Sequence, residues 1–207
     1  MQVIGITGGI GSGKSEVLHF LSRQQGVKIV EADRLAHRLM EPGEEIFLSV
    51  VEAFGKEILS PEGSLDREKL GRIVFQDTEK LELLNHIVHP GVKRYIRKDI
   101  RDTRKEKEIR LYVIEAALLI QDGYKEICDE IWYVHVPVEQ RIERLLSSRG
   151  GTREKWEQVM AAQPEDSYFQ ANSDRIIEND GSTEELYDRI LRELHRLFSP
   201  GDRRENV

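Results

Sequence analysis

The stretch Gly8-Gly9-Ile10-Gly11-Ser12-Gly13-Lys14-Ser15 has the residue types and the Gly-x-x-x-x-Gly-Lys-Ser spacing of a loop that cradles phosphate. Its glycines let successive backbone N–H groups converge on phosphate oxygens, with no side chain in the way, at the positive end of a following helix. Lys14 supplies a point charge for the β- and γ-phosphates, and Ser15 a hydroxyl able to ligate Mg²⁺. The plain alternative is a glycine-rich turn that fits the pattern by chance. It loses ground to the flanks: Val3-Ile4-Gly5-Ile6-Thr7 reads as a short buried strand, and Glu16 to Leu21 has the apolar spacing of a helix. Strand, loop and helix in that order are the context the motif requires, and the chemistry they point to is nucleotide binding.

Carboxylates and arginines are the next candidates. Val27-Lys28-Ile29-Val30 predicts a second strand ending in Glu31-Ala32-Asp33. Ligands of open α/β sheets bind off the carboxyl ends of the strands, so Asp33 is expected on the edge that carries the phosphate loop. There it would accept a proton from an acceptor hydroxyl or hold water around Mg²⁺; alternatively it caps the helix that begins at Arg34. Leu111 to Ile114 predicts a third strand, and Glu115 at its end is either a support for metal-bound water or a plain strand-end charge. His135, inside the apolar run of a fourth strand at 131–136, reads as a core or edge histidine. The helix at 139–149 carries Arg141, Arg144 and Arg149, breaks at Gly150-Gly151 and is followed by a second helical stretch to Gln163. Such a pair is either a closing lid that brings arginine to a phosphoryl group or a surface helix pair with i,i+4 partners.

These residues need elements to hold them. Between the second and third strands apolar positions recur at three and four, which predicts helices at about 34–41, 44–54, 67–75, 78–89 and 91–107. That is more chain than a crossover needs, so the segment is expected to form a subdomain for a second substrate. Within it Asp66 is a candidate cap, and His89 before Pro90 a candidate helix end. A fifth strand at 173–179 and an amphipathic helix through Leu186, Ile190, Leu194 and Leu197 close the chain, and the tail from Ser199 is expected to fray.

Composition narrows the function classes. A chain of 207 residues with a net charge of −7 argues against broad nucleic-acid binding. No apolar run approaches the ~20 residues of a membrane helix, and no signal peptide precedes the loop. The one cysteine, Cys128, cannot pair internally and reads as a small packed hydrophobe in a reducing compartment. No Asp-x-x-Gly segment follows the third strand, and no Asn-Lys-x-Asp segment is present, which disfavours a guanine-nucleotide switch.

The assembled pieces resemble the dephospho-coenzyme A kinase family over nearly the whole chain. The resemblance rests on Thr7 to Ser15, Glu31-Ala32-Asp33, the patches Leu65 to Phe75 and Leu84 to Pro90, Ala117-Leu118-Leu119, Met160 to Gln163 and Ile176 to Ser182. It implies an α/β fold: a three-layer phosphate-loop kinase core with a five-stranded parallel sheet (1–33, 110–138, 172–207), a helical dephospho-CoA-binding insertion (34–109) and a helical lid (139–171). It implies ATP-dependent phosphorylation of the ribose 3′-hydroxyl of dephospho-CoA, with Mg²⁺, in a cytoplasmic monomer or weak homo-oligomer. Gly11, Ser12, Gly13, Lys14, Ser15 and Glu16 would hold ATP and the metal, with Asn179 near adenine and Arg144 as a lid arginine. Asp33 would be the base, Arg67 and His89 would meet dephospho-CoA, and Glu115 would reach the metal through water. This chain departs from the family pattern at Glu31 and Glu16, in having Gln121 for a carboxylate, and in the five-residue spacing of Arg144 and Arg149.

Overall fold

The computed structural model describes residues 1–199; the tail from Pro200 lies outside the described residues. The chain divides into two compact units, residues 1–30 with 107–207, and residues 31–106.

The first unit is built on a five-stranded parallel sheet in the order β2-β3-β1-β4-β5. Its strands are β1 (Gln2–Thr7), β2 (Val27–Glu31), β3 (Leu111–Glu115), β4 (Glu130–His135) and β5 (Arg175–Glu178). The central strands β1, β3 and β4 are almost continuously apolar, as expected of parallel strands covered on both faces. On one face Ile4, Ile6, Val113, Trp132, Val134 and Ile177 pack with α1 (Lys14–Ser22) and with α9 (Thr183–Phe198). Helix α9 presents Leu186, Ile190 and Leu194 to that core and starts in a reciprocal cap between Ser182 and Glu185. On the other face Gly5 lies close against Leu119 and Cys128, where an added Cβ would stand 2.9 Å from a Leu119 methyl.

Between β4 and β5 run α6 (Val138–Arg149), α7 (Arg153–Ala161) and α8 (Asp166–Ala171). The last of these has no periodic signal in the sequence. It is anchored by Phe169, which is buried and stacked on Tyr133 of β4 at 5.1 Å between ring centroids.

The second unit contains α2 (Ala32–Leu39), α3 (Glu45–Phe54), α4 (Arg67–Gln76) and α5 (Thr78–Thr103). Two aspartates start helices: Asp66 Oδ1 accepts from Lys69 N at 3.0 Å, and Asp77 Oδ1 accepts from Glu79 N and Lys80 N. One expectation is corrected here. The break predicted at His89-Pro90 does not occur, and α5 runs through Pro90 for 26 residues. Proline inside a helix costs about 3 kcal/mol. Against that cost stands the stripe Val88, Val92, Ile96 and Ile100, buried at a spacing of four on both sides of the proline. Gly91 adds to it, because α3 comes close enough that a Cβ there would sit 2.6 Å from Ile46 Cδ1.

Cys128 is partly buried, with its sulfur packed beside Gly5 as expected of a small hydrophobe. Burial, and after it the Asp129 and Asp174 carboxylates, push its thiol up to about 12. Because the thiolate is the nucleophile, we expect native protein at pH 8.5 to resist iodoacetamide at least ~100-fold better than protein unfolded in guanidinium. Alkylation followed by mass spectrometry checks this, and equal rates would contradict the burial.

Candidate functional site

The phosphate loop begins where β1 ends, at the carboxyl edge of the sheet beside the strand-order reversal between β1 and its neighbours β3 and β4. Two side chains from elsewhere and the loop's own lysine fix its carbonyls. Lys14 Nζ donates to Gly8 O at 2.7 Å, Arg141 Nε to Ile10 O at 3.0 Å, and Asn179 Nδ2 to Ser12 O at 2.9 Å. The N–H of Ile10 donates to Gln163 Oε1 at 2.9 Å. Gly13, the cap residue of α1, adopts φ 85°, where a side chain is strained, and a Cβ there would fall 2.3 Å from Asn179 Nδ2. Glycine at this position is therefore required twice, by backbone shape and by the approach of the amide.

A hollow of about 290 Å³ lies over this loop, lined by residues 9–15 together with Arg144, Leu145, Ser148 and Arg149. Its charged lining residues, Lys14, Arg144 and Arg149, are all basic. With the amides at the start of α1 this is an electrostatic site for a polyanion. Arg144 is held by its own hydrogen bond, Nη2 to Asn179 O at 2.7 Å. Arg149, five residues on, reaches the same hollow from the last turn of α6, so both lid candidates are brought together.

The two loop serines are not equivalent. Ser12 is 1% exposed and its hydroxyl, tucked beneath Gly8, has no hydrogen-bond partner among the described residues. Ser15 is exposed in the first turn of α1 and lines the hollow. The carboxylate of Glu16 accepts a short hydrogen bond from Tyr187 of α9, whose ring stacks on Phe20. Glu115 ends β3 in register with Ile6 of β1. Asn179, expected near adenine, is 7% exposed with its amide on the loop and its N–H on His135 O.

In the second unit Asp33 is exposed in the first turn of α2. The alternative reading of Asp33 as a helix cap is corrected, since the cap residue is Glu31, which pairs with Arg34. Arg67 donates to Glu41 at 3.2 Å and lines a largely apolar hollow of about 180 Å³ with His37, Met40, Leu65, Leu70 and Leu84. His89 is half-buried in α5 and does not line that hollow.

Sequence reasoning gave Tyr133, Gln163, Asp166 and Tyr187 no role of their own, and read Arg141 only as one of the arginines of a lid or surface helix. Arg141 is 5% exposed, and Asp166 Oδ1 accepts from its Nη1 at 3.1 Å and from Tyr133 Oη at 2.7 Å. The available signal was position: Arg141 falls on the Ile142 and Leu145 face of α6, where a surface arginine would not be.

The sequence model of the dephospho-CoA kinase family matches residues 2–185. A dephospho-CoA kinase of Carboxydothermus hydrogenoformans is 39% identical over 95% of this chain and 94% of its own. One of Corynebacterium diphtheriae is 37% identical over 96% and 98%. Among solved structures, a Thermus thermophilus protein superposes with a TM-score of 0.76 at 31% identity, covering 96% of this chain and 98% of that one. A shikimate kinase of Acinetobacter baumannii, at a TM-score of 0.51, 15% identity and 96% of each chain, shares the fold. The geometry itself yields a prediction: Gly13→Ala should weaken Mg·ATP binding by about ten-fold or more, measured by calorimetric titration, because the loop and Asn179 cannot both keep their places.

Proposed function

The chain belongs to the dephospho-CoA kinase family, and on that premise we propose how its residues divide the work. The reaction is ATP-dependent phosphorylation of dephospho-CoA, the last step of coenzyme A synthesis. The observation that carries the assignment is the loop hollow, in which backbone amides and three basic side chains converge with no carboxylate among the lining residues.

Under this reading the β- and γ-phosphates lie on the amides of residues 11–15 with Lys14 alongside. Arg144, oriented by Asn179, faces charge that develops on the transferring phosphoryl group. Asp33 is the acceptor-side carboxylate. It takes the proton of the ribose 3′-hydroxyl as that oxygen bonds to the γ-phosphorus and the bond to the β–γ bridging oxygen breaks, releasing ADP. The helical unit holds dephospho-CoA, with Arg67 and His89 as contacts.

The donors suit Mg²⁺. Ser15 offers an exposed hydroxyl, Glu115 a strand-end carboxylate reaching through water, and no group of three or more His, Cys, Asp or Glu able to cage a metal occurs among the described residues. A magnesium ion that keeps its waters and shares substrate phosphates needs only such a sparse set. When bound it offsets charge on the β- and γ-oxygens. Among the described residues no helix is long and apolar enough to cross a membrane. We place the enzyme in the cytoplasm as a monomer or weak homo-oligomer.

The test is ADP release from Mg·ATP with dephospho-CoA beside AMP, CMP, dTMP and shikimate, with product position read by NMR. We expect transfer to dephospho-CoA alone, at the 3′-oxygen. Lys14→Ala and Asp33→Ala should each lower kcat by about 10² or more with an unchanged circular-dichroism spectrum. Near-normal turnover in Asp33→Ala would remove it as the base.

A further inference from the structure

Arg141 presents a problem that the assigned roles do not solve. A guanidinium is almost fully buried behind the phosphate loop, out of the hollow's lining, and burying a charge is costly unless it is paired and hydrogen-bonded. Here it is both. Nε donates to Ile10 O, Nη1 to Asp166, and Asp166 is itself fixed by the Tyr133 hydroxyl. The guanidinium also lies so close to Gly9 that an added Cβ would be 2.6 Å from Nη2, which accounts for a glycine at a position the phosphate-loop pattern leaves open. On the other side of the same residue, Gln163 accepts the Ile10 N–H.

The backbone of Ile10 is thus held at both its polar atoms. In a trans peptide the carbonyl and the next N–H point in opposite directions, and no cis bond occurs among the described residues. Fixing Ile10 O against the Arg141 guanidinium therefore turns the Gly11 N–H away from that guanidinium. The charge of Arg141 is matched by Asp166, so what it adds to the loop is geometry, with little field.

We propose that Arg141, locked by Asp166 and assisted by Gln163, is a positioning residue for ATP that presets the Ile10–Gly11 turn so that its amide faces the phosphate. The proposal rests on the kinase reading in one respect, that this loop takes the phosphates of ATP. A residue needed for the fold as a whole would weaken both substrates together; a positioning residue weakens the nucleotide selectively.

Calorimetric titrations with Mg·ADP and, separately, with dephospho-CoA decide this on wild type, Arg141→Met, Arg141→Lys and Gln163→Ala. We expect Arg141→Met to weaken Mg·ADP about ten-fold or more, the scale of a lost hydrogen bond to a charged group, with dephospho-CoA affinity within about two-fold. Arg141→Lys should recover part of the loss, and KM for ATP should rise more than kcat falls. Unchanged Mg·ADP affinity in Arg141→Met, or an equal loss of both ligands, overturns the inference. Should Arg141→Met not fold, Gln163→Ala, which deletes a partly exposed side chain, decides by the same two affinities. Wild type that bound no Mg·ADP would overturn the kinase reading and this inference with it, whereas normal wild type beside an unaffected Arg141→Met would overturn the inference alone.

Discussion

A phosphate loop works only if its carbonyls are spoken for. Each peptide in residues 8–13 carries an acceptor as well as a donor, and a phosphate can use only the donors. In this protein the Gly8, Ile10 and Ser12 carbonyls are taken by Lys14, Arg141 and Asn179. The rest of the first unit follows from that demand. β5 must end where Asn179 reaches the loop, and α6 must pass close enough for Arg141. The segment between α7 and α8 must place Gln163 at Ile10, and the first residue of α8, Asp166, must meet Arg141. Three stretches far apart in sequence are thereby committed to one short loop.

Glutamate at position 16 shows how the same framework absorbs a negative charge beside a phosphate site. A carboxylate in the first turn of α1 is favoured by the helix dipole but opposed by any polyanion nearby. Tyr187 settles the conflict by donating its hydroxyl to that carboxylate, with its ring stacked on Phe20. The tyrosine pays in acidity, because the hydrogen bond to Glu16 raises its pKa. The carboxylate is held on α9, and the hollow keeps only basic charged residues.

Much of this was legible in the sequence, and the exceptions share a cause. The phosphate loop, the five strands and the last helix are local patterns: glycine spacing, short apolar runs, a stripe at three and four. The caps at Asp66 and Asp77 are local too, although only the first stands out before a clear apolar run. Pro90 misled because its local penalty is real, while the close approach of Gly91 to Ile46, 45 residues earlier, leaves no local sign. Arg141 and Asp166 stayed hidden for the same reason. Nothing in the immediate neighbourhood of either residue shows that they meet each other, Tyr133 and Ile10. Cys128, by contrast, needed only the absence of a partner.

The hollows of the two units differ in chemistry in the way two different ligands would require. The loop hollow sets amides and three cations beside apolar surface that includes Ile10 and Leu145, so a polyphosphate would be held there by charge and direction. The hollow in the helical unit is lined chiefly by Met40, Leu65, Leu70, Val74 and Leu84, with Arg67 and His37 as its polar members. Such a lining can bury apolar area at about 25 cal/mol per Å² but can orient a ligand at few points. Arg67 is already directed by Glu41 and the His37 carbonyl, so its remaining donors have a fixed heading even though the side chain is half exposed. A ligand with both an apolar stretch and an anionic group would match both features of that lining, whereas a compact polyanion could use only Arg67. The division between the units is thus a division of binding physics, direction and charge in one and area with a single polar anchor in the other.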